Sequence, residues 1–130
     1  MTAKGIEMLA GRYVALLFLA RELAHRAHLK VSGPGSFAAH SALNTFYEEV
    51  IPLADSFAEA HQGRFKELLD IPLLDNEYEG EMVDILEQQM AWIEDNREQI
   101  VSRKETALHN LIDEAVTLYQ STIYKLTFLE

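Results

Sequence analysis

Apolar residues recur every third or fourth position through four long segments of this chain, and no stretch of useful length alternates with the period of a strand. The breaks between the segments are few, because the sequence has only three prolines and six glycines and they cluster. Ser32-Gly33-Pro34-Gly35-Ser36 is the clearest break, and Gly63 precedes a second one centred on Asp70-Ile71-Pro72. The spacing predicts a first helix over 6–30, with Ile6, Leu9, Tyr13, Leu16, Leu17, Ala20, Leu23 and Ala27 as its stripe. A second is expected over 37–61, with Ser36 as N-cap. Pro52 removes one backbone bond inside it and should bend it without ending it. Residues 63–75 read as a long connection with a short helical turn at 65–69. A third helix is expected over 76–101. Ser102 and Glu105 then read as a capping box opening a fourth helix that runs to about Leu129. The expected fold is an all-α, ferritin-like four-helix bundle: two hairpins joined by a longer crossover between helices two and three.

At 130 residues the chain is one domain, 1–130, with an apolar content of 48% that suits a packed core. It has no cysteine, so any metal must be held by histidine, carboxylate or carbonyl oxygen. Twenty-one acidic residues against 11 basic ones give a formal charge of −10. That balance disfavours DNA and anionic membranes and favours cations, and acidic helix faces also keep a small helical protein soluble. The apolar run 13–20 spans only ~12 Å as a helix, far short of a bilayer, and Arg21 and Glu22 follow it directly. It reads as a buried helix.

The polar residues that carry chemistry sit mostly on the first two helices. Glu22 and His25 form one Glu-x-x-His pair, but a di-iron centre inside a bundle needs two, and the fourth helix offers only Glu105 and His109 at the wrong interval. His28 ends the first helix, His40 opens the second, and Asp55 and Glu59 lie one turn apart further along it. His40 and Asp55 differ by only ~60° in direction but are separated by ~22 Å along a straight helix. They share a face and cannot share an ion within one chain. If they belong to one site, two antiparallel second helices must bring His40 of one copy to Asp55 and Glu59 of the other, giving two identical sites per dimer.

This arrangement resembles the Dps-like mini-ferritins. The resemblance rests on His28, the turn containing Gly33, the aromatic Phe37, and His40, Asp55 and Glu59, at intervals of 12, 15 and 4. Small phage-encoded proteins with this motif arrangement look closer still. The resemblance implies iron as substrate, bound at a dimer interface by His28 and His40 of one subunit and Asp55 and Glu59 of the other. It also implies Fe(II) oxidation, typically by hydrogen peroxide, and storage in a shell of twelve subunits. Three departures stand out. Asn44 occupies the position one turn after His40 where the family commonly has Asp, so it enters the expected ligand set as a weaker, neutral donor. Leu29 replaces a tryptophan, and the N-terminal segment carries one lysine, too little for a basic DNA-binding arm.

Two functional readings follow. In the first the protein is a ferroxidase in the cytoplasm of a bacterial or phage-infected cell. In the second it is a non-catalytic structural or accessory protein on the same fold, with a virion location open to it. Other chemistries lack support. Gly33-Pro34-Gly35 is a turn and not a phosphate loop, no serine sits in a nucleophile elbow, and Met90 and Trp92 read as packing.

Overall fold

The computed structural model describes the backbone of residues 3–129 and the side chains of residues 9–129; Ile6 lies outside the described side chains. It contains four helices: α1 (Ala3–His28), α2 (Ser36–Phe65), α3 (Met82–Ile100) and α4 (Thr106–Phe128). No strand occurs among the described residues. α1 packs against α2 and α3, and α4 against the same two, which leaves α1 and α4 on one diagonal and α2 and α3 on the other. The end of α1, the starts of α2 and α3 and the end of α4 all line one cavity. α2 and α3 therefore run parallel, and the chain must cross the bundle between them. This is the all-α four-helix bundle with one crossover that the spacing predicts.

The crossover, 66–81, is extended and lies as a strap along the seam of α1 and α3. Leu69, Ile71, Leu74 and Tyr78 turn inward onto the core. Where the strap meets α1 the approach is so close that a Cβ on Gly11 would stand 1.9 Å from the Asp70 carbonyl oxygen. Glycine is required there by space.

Several helix boundaries differ from expectation, each for a local reason. Ser36 does not cap α2. The cap position is Gly35, in left-handed backbone at φ 81°, and Ser36 is already helical. α2 runs past 61 and stops at Lys66, whose left-handed φ of 58° lets its N–H bond Gln62 O at 2.8 Å. No helical turn forms over 65–69; the Leu69 N–H instead donates to Gln62 Oε1 at 3.0 Å. α3 starts at Met82 and not near 76. Asn76 Oδ1 accepts from Tyr78 N at 3.1 Å, which favours a turn, and Gly80 takes φ 108°. The Glu81 N–H then finds Asp84 Oδ2 at 3.0 Å, so the capping box lies here. At the start of α4 the expected box is absent. Arg64 of α2 takes the Glu105 carboxylate through two bonds, at 2.6 and 3.1 Å, and ties α2 to α4. α2 passes through Pro52 without ending.

The core is aromatic at two levels. Tyr13 meets Phe57 edge to face at 4.8 Å, and Tyr119 meets Phe46 the same way at 5.2 Å. Gln89 is wholly buried and accepts the Tyr119 hydroxyl at 2.9 Å. Burial pushes the Tyr13 and Tyr119 phenols above their ordinary range, since a phenolate would lose its hydration there. A raised folded-state pKa means stability is complete below the unfolded value of about 10 and is lost as pH rises past it. On alkaline titration, phenolate absorbance from two of the five tyrosines should appear only as helicity collapses. Ionisation of all five with the helical signal intact would contradict this burial.

Candidate functional site

The turn 29–35 joins α1 to α2, and Gly33 and Gly35 both take positive φ, at 82° and 81°. Only glycine adopts that conformation without penalty, so the chain reverses tightly. The reversal brings His28, in the last turn of α1, against His40, in the second turn of α2. Their ring centroids are 4.4 Å apart. His28 is 6% exposed, whereas His40 faces solvent.

Both rings are held by backbone. His28 Nδ1 lies 2.7 Å from His25 O, and His40 Nδ1 lies 2.8 Å from His28 O. A carbonyl oxygen only accepts, so each Nδ1 carries the proton and donates it. The lone pair of each neutral ring is then on Nε2, the nitrogen left to bind a cation. This pattern, one ring nitrogen on a carbonyl and the other free for an ion, orients metal-binding histidines generally.

Around the pair is an aromatic cluster. Tyr47 stacks on His25 at 4.3 Å, nearly parallel at 19°, and its ring centroid is 4.9 Å from that of His28. The Arg21 guanidinium lies 5.7 Å from the Tyr47 ring centre. The Tyr47 hydroxyl donates to Asn44 Oδ1 at 2.7 Å. Tyr47 reads from sequence as an ordinary core residue, and its hydroxyl bond to Asn44 is what assigns it to the site. His25 stacks on Tyr47 through its ring face. Glu22, its Glu-x-x-His partner, pairs with Arg26 at 2.9 Å and Arg21 at 3.3 Å. The hydrogen bond and charge of Arg26, with a smaller contribution from Arg21, hold the Glu22 carboxyl below its usual range. Glu22 is thus engaged by two arginines.

Asp55 and Glu59 are exposed on α2, and neither forms a salt bridge among the described residues. They lie on the same helix as His40 and well down it, so the single chain brings His28, His40 and Asn44 together and leaves the two acids apart. Among the described residues, no three His, Asp or Glu side chains of one chain converge to hold a metal ion. The Asn44 side-chain oxygen, the donor expected there, accepts the Tyr47 hydroxyl with one of its two lone pairs. Chemically, one chain offers two oriented imidazole lone pairs, and a distant pair of uncommitted carboxylates on the same helix.

No curated protein and no solved structure matches the chain. One family, described as a family of unknown function (DUF5856), matches residues 28–126, from His28 through nearly all of α4, and the chain belongs to it.

Proposed function

We propose that this member of the DUF5856 family binds Fe(II) between two antiparallel copies and oxidises it, as its resemblance to the Dps-like mini-ferritins implies. The observation that carries the reading is the His28–His40 pair. Both rings are fixed by carbonyls, in close contact, with Nε2 as the lone-pair nitrogen. Asp55 and Glu59 are the matching half: exposed and on the same helix, ~22 Å and ~28 Å from His40 along it. Two α2 helices crossing antiparallel, with the two-fold near Glu48 and Glu49, superpose each half on its complement. Two imidazoles and two carboxylates would suit Fe(II), and Glu59 would be the carboxylate to share between two ions. Fe(II) is the substrate. Two Fe(II) each give one electron to hydrogen peroxide, its O–O bond breaks, and two protons complete two waters. The chain's part is to hold the ions and bring the oxidant to them.

Two observations limit the ligand set and favour a second reading, a non-catalytic structural or accessory protein of the same fold. Asn44 is a neutral, weaker donor whose oxygen also accepts from Tyr47, and one chain alone supplies too few donors. Assembly separates the readings. A closed shell of twelve copies by light scattering supports storage, whereas a bare dimer, or copies attached to a larger particle, supports the accessory role. No helix among the described residues is long and apolar enough to cross a membrane, so neither reading involves one through a helical span.

The direct test is an anaerobic Fe(II) titration followed by peroxide. Wild type should saturate and then turn over, and the His40→Ala, Glu59→Ala double variant should do neither. Equal behaviour of the two proteins would sink the proposal.

A further inference from the structure

Asn44 is one turn beyond His40 on α2, ~40° away in direction, and half-buried. Its amide has two unlike ends. The oxygen accepts the Tyr47 hydroxyl at 2.7 Å. Tyr47 is itself confined, stacked on His25 at 4.3 Å, close to the His28 ring at 4.9 Å, and faced by Arg21 at 5.7 Å. The phenol therefore sets the direction of the amide. The NH₂ group is the end of the amide with no partner among the described residues, and it donates two hydrogens. We infer that Asn44 is a positioning residue: held by Tyr47, its NH₂ donates to an anionic oxygen of the shared site, namely a carboxylate of Asp55 or Glu59 brought by the second copy.

The inference rests on the shared site proposed above, and it changes the role of its neutral member. A neutral donor facing two carboxylates lets the acidic half of the site dock before any cation arrives. An aspartate at the same place would oppose that docking and would bind the cation more tightly once it came. The two effects have opposite signs, which a merely structural asparagine would not produce.

The experiment compares wild type, Asn44→Asp and Tyr47→Phe, each checked for helicity, by sedimentation equilibrium without metal and by Co(II) titration. Asn44→Asp should weaken the metal-free dimer by about tenfold through like-charge contact and should raise Co(II) affinity. Tyr47→Phe frees the amide to turn, and it should weaken the metal-free dimer less than Asn44→Asp does. A wild-type dimer that binds Co(II) through His28 and His40, yet whose metal-free association is untouched by Asn44→Asp, overturns this inference alone. Loss of Co(II) affinity in Asn44→Asp also overturns it. A chain that neither dimerises nor binds Co(II) overturns the shared site and this inference with it.

Discussion

Gly11→Ala will destabilise the protein by about 2–3 kcal/mol, an overpacking cost at the high end for one methyl group. The added Cβ would stand 1.9 Å from Asp70 O and 2.9 Å from its carbonyl carbon, and both are backbone atoms with no rotamer to escape into. Either α1 or the strap must move, and the strap has less to lose. Its displacement uncovers Leu69, Ile71 and Leu74 and the seam beneath them. The matched control is Gly63→Ala, in the exposed last turns of α2, where the new methyl meets nothing within 4 Å. That change should stabilise by about 0.5–1 kcal/mol, since alanine is the better helix former. Thermal melts of the pair give the comparison. Similar shifts in the two variants would mean that the strap does not lie against α1 as described.

Mixing two inactive parents will restore Fe(II) binding if the site is shared. One parent carries His28→Ala with His40→Ala, and the other Asp55→Ala with Glu59→Ala. Each forms dimers in which both sites lack half their ligands, so each should bind Fe(II) about a hundredfold or more weakly. A heterodimer made by unfolding and refolding an equal mixture has one site with all four side chains and one with none. Titration should recover one tight site per heterodimer. The result depends on which chain supplies which residue, so it separates a shared site from one assembled within a single bundle. No recovery in a mixture shown to contain heterodimer would exclude the shared site.

The helices were legible because each stripe is long and regular. Leu43, Phe46, Val50, Ala54 and Phe57 of α2, and Leu108, Ile112, Ala115 and Tyr119 of α4, fall where a period of 3.6 puts them and are buried. Gln89 was not legible as core, because an amide reads as surface. Only its place between Leu86 and Ile93 in the stripe hinted that it would turn inward to the Tyr119 hydroxyl. The capping box expected at α4 was misread because a tertiary contact intervenes. Ser102 and Glu105 have the right residues at the right interval, but a carboxylate takes the strongest partner in reach, and Arg64 arrives from a helix 41 positions away. Tertiary contact overrode a local rule. In the site, the pairing of His28 with His40 was expected only from the resemblance, and the glycine turn is what brings the two helix ends together. The Tyr47 bond to Asn44 was not legible, since a tyrosine in an apolar stripe does not announce where its hydroxyl ends.

The strap also has an electrostatic consequence. By carrying the chain back to the end where α2 began before α3 starts, it makes every pair of touching helices antiparallel, because the parallel pairs are left on the diagonals. Each end of the bundle then shows two helix N-termini and two C-termini, so the backbone macrodipoles cancel pairwise. The far field of the molecule is therefore that of its side chains, a formal charge of −10. At physiological ionic strength that field fades over ~8 Å, so a cation approaching from solution meets local carboxylates and no directed pull from the helices.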